Sequence, residues 1–354
     1  MRKEELLRKV GSLQQAAYVR PVEYQEGRAK GLRAYEVMNG PLRYHVLADK
    51  CLDMGELQYK GVNFSFLSKP GLQGRNHYDT RGQEALRSIM GGMFFTAGLE
   101  NICAPCTVEG KDYPMHGRIR TTPGEDLSGS VRWIQDSCYL TVSGTFREAE
   151  LFGENLVLRR TVESRYGEPS VVITDEIENQ SFRREPMMIL YHINIGYPLL
   201  DEGTEILLAT RSVTPRDQAA RGHEDRWNVM DAPKDNEPEY VFLHDPIPRK
   251  DGAVIAAAVN ETLGLGLRIE YTSQNLPYFM EWKSTASGDY VIGLEPSNSS
   301  VYGRPYHEAR KDLHYMEPFA KETNVLTFTV LDGAAEIQAV REEIRALGGE
   351  TRKS

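Results

Sequence analysis

An all-β protein built from large antiparallel sheets is the fold this sequence predicts, and three observations carry the prediction. Short runs rich in Val, Ile, Tyr, Phe and Thr recur along most of the chain, and β-branched and aromatic side chains suit a pleated, half-buried surface. Between the runs lie turn formers, with 31 Gly and 18 Pro in 354 residues. No helical periodicity sits regularly between strands, which disfavours a parallel sheet with crossover helices.

In chain order, "KEELLRK" (3–9) is expected to form one or two helical turns. The strand candidates are "SVRWIQ", "CYLTVSGTF", "NLVLRRTVES", "SVVITDEIEN", "PMMILYHINIG", "TEILLAT", "YVFLH", "AVIAAAV", "LGLRIEYT" and "VLTFTVL". Several alternate with period two, as half-buried antiparallel strands require. Residues 215–240 read as a long polar loop, and loops of that length tend to be functional or mobile. In 334–350, Ile337, Val340, Ile344 and Leu347 recur at helical intervals before a Gly-Gly stop. A single domain over 1–354 is expected, with an N-terminal extension to about 30 and a C-terminal helix over about 334–348, since neither a repeat nor a linker divides the chain.

The formal net charge is -9 and the 42 Lys and Arg residues are scattered. No nucleic-acid partner is expected, because phosphate binding needs a local basic patch. The charged N-terminus lacks a signal-peptide core and no window is apolar enough to span a bilayer, so no membrane partner and a cytoplasmic location are expected. Cys51, Cys103, Cys106 and Cys138 do not form a disulfide framework, and the Cys103/Cys106 pair lacks a second pair for zinc.

Three clusters carry the chemistry. In "ILYHINIGYPLLDEG", strand alternation puts Met187, Ile189, Tyr191, Ile193 and Ile195 on one face and Met188, Leu190, His192 and Asn194 on the other. His192 and Asn194 thus project together; the plainer alternative is a core histidine satisfied by its neighbours. In "MHGRIRTTPG", His116 precedes a glycine that permits close backbone approach, and Arg118 and Arg120 share a side if the segment is extended. That set offers donors for hydroxyls, carboxylate or phosphate; the alternative is a basic strand end paired with acids. In "DYVIGLEPSNSSVYGR", Glu295 closes an apolar run, where desolvation would raise its pKa and suit it to acid/base work; the alternative is a surface glutamate.

Together with "LADKCLDMGELQYKGV", "GGMFFTAGLENI", "LFGENLVLRRTVE" and "LEPSNSSVYGR", the order H-G-x-x-R, Y-H, L-E-P resembles the aldose 1-epimerase (galactose mutarotase-like) superfamily. The match is closest to a branch often catalogued as a domain of unknown function, and it spans roughly residues 10–335. The resemblance implies a β-supersandwich with short terminal helices and a carbohydrate site in a concave face. It implies an isomerase interconverting α and β anomers of a monosaccharide or acidic sugar, with no cofactor and no metal. Glu295 would be the general base and His192 the general acid, with His116 and one of Arg118 or Arg120 contacting the ring oxygen or hydroxyls; Asn194, on the same face as His192, is a further candidate sugar contact. Tyr197 or Trp282 would stack on it, and Arg304 would join Arg118 and Arg120 if the sugar carries an anion. The rival readings are a non-catalytic carbohydrate-binding sandwich and a metal-dependent isomerase using His116, His192 and Glu295. A homodimer is expected, because exposed sheet edges invite pairing.

Overall fold

The structure, a computed structural model, describes residues 2–74 and 82–350. Strand Ser170–Asn179 shows how pattern becomes position: its residues alternate between half-buried and buried without interruption. Val171, Ile173 and Ile177 thereby enter the core while Val172, Thr174 and Glu176 face outward. It lies within an eight-stranded sheet ordered Glu125–Ile134, Ser137–Ala149, Asn155–Arg165, Ser170–Asn179, Lys321–Asp332, Leu265–Thr272, Ala253–Asn260 and Glu205–Leu208. An eleven-stranded sheet faces it. Its main path runs Tyr18–Glu23, Arg33–Met38, Leu42–Leu47, Asp53–Tyr59, Phe94–Leu99, Met188–Ile195, Asp289–Ser297, Tyr278–Ala286, Tyr240–Pro246 and Thr210–Pro215, and Val62–Asn63 pairs beside it. The pairings in both are antiparallel.

All ten strand candidates fall on strands of these two sheets, and residues 18–23, assigned to an N-terminal extension, form an edge strand. The sheets bury one continuous core: Val46, Leu57, Phe94 and Ile193 from one meet Leu140, Val162, Ile173 and Phe328 from the other. Helices form at Lys3–Leu7 and Ala334–Glu350, as the sequence predicts. Ile337, Val340 and Ile344 of the second pack on Ile255, Ala257 and Val259. A helix over Gly303–Arg310 was not anticipated; its Pro305 falls in the first turn, where a missing amide proton costs nothing. Among the described residues no helix is long and apolar enough to cross a membrane.

Strand Met188–Ile195 is buried at every position because both of its faces are covered. Ile189, Tyr191, Ile193 and Ile195 enter the inter-sheet core, whereas Met188 and Leu190 join Phe95, Ala97 and Met280 in a smaller cluster on the outer face. The expected division of faces therefore holds. A charged network fixes this strand from below. Arg160, 1% exposed, donates through Nε and Nη2 to Asp175 (2.7 and 2.6 Å) and through Nη1 to Asp53 Oδ1 and the Cys51 carbonyl (2.9 Å each). The Tyr191 hydroxyl donates to the same Asp175 at 2.7 Å, next in sequence to His192.

Candidate active site

Strand register assembles the site. Phe95 pairs with His192 on the neighbouring strand, and Met280 pairs with Glu295. Leu190 pairs with Ser297 and Ile193 with Leu294, so His192 and Glu295 fall opposite each other between them. Four adjacent strands thus present Phe95, His192, Glu295 and Met280 as one row, and Asn194, Gly293, Trp282 and Val241 follow as the next. Above the rows lies a cavity of about 350 Å³ lined by His116, His192, Asn194, Trp282 and Glu295 among others, within the range of small-molecule sites.

His192 Nε2 and Glu295 Oε1 lie 3.1 Å apart. The approach is too oblique for a hydrogen bond, which leaves Glu295 Oε1 unpartnered; His192 Nδ1 and Asn194 Oδ1 are likewise buried polar atoms without a hydrogen-bond partner. Each such atom costs about 1–3 kcal/mol when left unmet, and all three belong to residues that line the cavity. Burial raises the Glu295 carboxyl to about 8; Glu239 and Glu281 add to the rise and Arg216 opposes it. Burial lowers the His192 imidazole to about 4, with the adjacent Asn194 side chain opposing. The pair therefore rests with one proton on the carboxyl and a neutral ring, which avoids two buried charges.

His116 completes the polar wall. Its Nδ1 accepts the Cys103 amide proton at 3.3 Å, so the neutral ring carries its hydrogen on Nε2 as a donor. Burial, then His192 and Arg120, hold this imidazole well below its ordinary pKa. The glycine after it is required: a Cβ at Gly117 would lie 1.9 Å from the Gly98 carbonyl oxygen.

The aromatic wall comes from Phe95, stacked on the His192 ring at 4.5 Å, and Trp282, edge-on to it at 5.3 Å. Trp282 Nε1 donates to Glu239 (2.8 Å), which also accepts from Arg216 (2.9 Å). Phe66, Phe95, Arg216 and Glu239 were not singled out from sequence, although the last two bracket the long 215–240 loop. Among the described lining residues Arg216 is the one Lys or Arg, and Glu239 and Asp217 already neutralise it.

Four expected sugar contacts lie elsewhere. Arg118 and Arg120 do not share a side, because His116 and Gly117 both take positive φ and the chain then enters a 3₁₀ turn over Ile119–Thr121. Arg118 turns outward to Glu100, and Arg120 is buried beside Ser88. Arg304 donates to the Glu100 carbonyl oxygen and to Glu308, so no three-arginine anion clamp forms in the cavity. Tyr197 is 68% exposed and outside the cavity. Cys103 lines it, and burial pushes its thiol up, so it stays protonated. The metal alternative finds no group of three or more His, Cys, Asp or Glu arranged for an ion among the described residues.

The loop beyond Glu295 is strapped down. Ser300 N–H donates to His307 Nε2 at 2.9 Å, which leaves the ring proton on Nδ1, 2.8 Å from Asp312 Oδ1. Although Ser, His and Asp follow one another here, Ser300 is 3% exposed and the imidazole's accepting nitrogen is already used by a backbone amide. The arrangement anchors the loop to helix Gly303–Arg310. Gly293, by contrast, makes room for the Glu295 carboxyl, since a Cβ there would stand 2.8 Å from Glu295 Oε1 and 3.1 Å from the Trp282 Cβ. Gly293→Ala is expected to displace the carboxylate and lower kcat by about tenfold to a hundredfold, with the urea midpoint little changed; steady-state kinetics beside denaturation checks it.

Comparison with known proteins agrees with this architecture. The model of a family described as a domain of unknown function, DUF4432, matches residues 29–330. No curated protein matches the sequence. Among solved structures, a provisionally assigned aldose 1-epimerase from Klebsiella pneumoniae subsp. pneumoniae MGH 78578 superposes with a TM-score of 0.88 at 22% identity, covering 98% of this chain and 91% of that one. A galactose 1-epimerase from Lactobacillus acidophilus NCFM gives 0.59 at 15%, over 90% and 100% of the two chains. A galactose mutarotase-like protein from Clostridium acetobutylicum gives 0.61 at 12%, over 90% and 99%. The β-supersandwich expected from the motifs is therefore the fold of this chain.

Proposed function

We propose that this chain, which belongs to the DUF4432 family, is an aldose 1-epimerase that interconverts the α and β anomers of a neutral monosaccharide by acid/base catalysis at Glu295 and His192. One observation carries the reading: a buried carboxyl and a buried imidazole stand 3.1 Å apart on a cavity wall, with unpartnered polar atoms beside them. Anomerisation needs that equipment. One partner removes the proton of the anomeric hydroxyl while the other protonates the ring oxygen, and the C–O ring bond breaks to give the open-chain aldehyde. Rotation about C1–C2 and the reverse transfers close the other anomer. The two sugar oxygens are bonded to the same carbon, so two catalytic atoms in contact on one wall can serve both at once.

The family resemblance makes Glu295 the base and His192 the acid, whereas burial favours the resting proton on Glu295. Both protonation patterns contain one acid and one base, and the reaction runs both ways, so each turnover returns the pair to its starting state. His116 Nε2–H supplies a fixed hydroxyl donor, and the Trp282 face supplies apolar surface for the C–H side of a sugar. A neutral substrate follows from the neutralised Arg216, because a phosphate or carboxylate would meet no uncommitted Lys or Arg among the described lining residues.

Proton NMR exchange spectroscopy on neutral, carboxylated and phosphorylated aldoses tests the proposal. Anomer exchange faster than the uncatalysed rate is expected with a neutral aldose; acceleration with none of the panel would overturn the enzymatic reading. The pH dependence is a second expected outcome. Below about pH 4 His192 gains a proton and no base remains, and above about pH 8 Glu295 loses its proton and no acid remains. The kcat/KM of the free enzyme should be flat between these limits and fall about tenfold per unit beyond each. A single titration near pH 6.5 would contradict this assignment of acid and base.

A further inference from the structure

Four of the most exposed large apolar side chains stand together at one end of the eight-stranded sheet, away from the cavity. They are Leu151 (84% exposed), Phe152 (93%), Phe182 (90%) and Phe319 (54%). The topology gathers them: Leu151 and Phe152 form the turn between Ser137–Ala149 and Asn155–Arg165, Phe182 follows the end of Ser170–Asn179, and Phe319 precedes Lys321–Asp332. These strands are consecutive neighbours and antiparallel, so the three connections emerge at the same end. Hydrogen bonds tie the connections to one another. Gln180 N–H donates to the Asn155 carbonyl (2.8 Å), Phe319 N–H to the Asn179 carbonyl (2.7 Å), and Arg183 Nη1 to the Phe152 carbonyl (3.3 Å). The Phe182 and Phe319 rings meet edge to face at 5.3 Å. Phe152 also occupies φ +63°, a backbone region costly for a bulky side chain, so local structure gains nothing from a phenyl there.

We propose that this end of the eight-stranded sheet is the docking face for a second copy of the chain, related by a two-fold axis. Size and charge both favour that occupant. The four side chains expose about 600 Å², most of the ~800 Å² that each partner contributes to a standard interface. The rim carries both signs: Lys111 pairs with Glu150 (2.6 Å) and Glu154 (3.1 Å), Arg183 with Glu185 (2.5 Å) and Arg184 with Glu317 (3.3 Å). A rim of both signs is self-complementary when a two-fold axis turns it onto itself. An anionic lipid surface would instead select an excess of Lys and Arg around the apolar side chains.

Sedimentation velocity across a concentration series reaching about 100 μM, wild type beside a Phe152→Glu, Phe182→Glu double variant, tests the inference. Both positions are almost fully exposed, so the variant should fold, as circular dichroism will verify. The wild type is expected to sediment as a dimer. The double variant should associate at least about 100-fold more weakly, with anomer exchange unchanged because neither residue lines the cavity. A wild type that stays monomeric throughout would overturn the proposal, as would a dimer that survives both substitutions. Wild type that remains monomeric but sediments with phosphatidylglycerol vesicles would assign the face to lipid instead. None of the sedimentation outcomes depends on catalytic activity.

Discussion

Glu295→Gln is expected to lower kcat for anomer exchange by about a thousandfold or more while leaving sugar affinity within severalfold. The amide keeps the shape of the side chain and presents an oxygen and an NH₂ group to the cavity, so a bound sugar still finds hydrogen-bond partners. It cannot give up or take a proton at neutral pH, so the transferable proton that burial holds on the carboxyl is lost. Stability should not fall, because the substitution removes an ionisable group that burial already strains. The upper limb of the pH profile should vanish with it. His192→Gln should cost a similar factor, and the double variant little more than either single one, since residues that act as a unit are not additive. Exchange spectroscopy gives the rates and ligand titration the affinities. Retained turnover in Glu295→Gln would remove the carboxyl from the mechanism, whatever the fold.

Arg160→Met should cost about 3–5 kcal/mol of unfolding free energy, read from urea denaturation. Arg160 spans the two carboxylates from the core, and its fork matches Asp175 bidentately while Nη1 reaches Asp53 and the Cys51 carbonyl. Methionine fills much of the volume but leaves Asp53 and Asp175 buried without a cation. Arg160→Lys is expected to recover only part of the loss, because one ammonium cannot reproduce the planar fork. Activity should suffer as well. Tyr191 is anchored on Asp175 and lies one residue from His192, so a slack network lets strand Met188–Ile195 move. A stability loss below about 1 kcal/mol would mean that the sheets are held without this network.

Much of the eight-stranded sheet was legible because its strands alternate in hydrophobicity, and only one pairing register buries an alternating face. The N-terminal strands of the larger sheet were harder to read. Strand Phe94–Leu99 is buried at all six positions, and period-two patterning disappears where both faces are covered. At the site, His192, Asn194, His116, Trp282 and Glu295 were identified from local pattern and family resemblance, and all five line the cavity. Arg118 and Arg120 do not share a side as expected for an extended backbone, because two consecutive positive φ values turn the chain. Arg304 and Tyr197 carried suitable chemistry, but nothing in local sequence says that the first bonds to the Glu100 carbonyl or that the second faces solvent.

The sequence by itself determined the strand class, the two terminal helices and which side chains of strand Met188–Ile195 share a face, since these follow from periodicities of two and 3.6 residues. Only the tertiary structure decided that His192 stands opposite Glu295, that Arg216 and Glu239 close the rim, and that four exposed apolar side chains gather at one sheet end. Each of those joins segments far apart in the chain through strand register. Register is fixed by the burial of whole faces, a property of the assembled sheets rather than of any single segment.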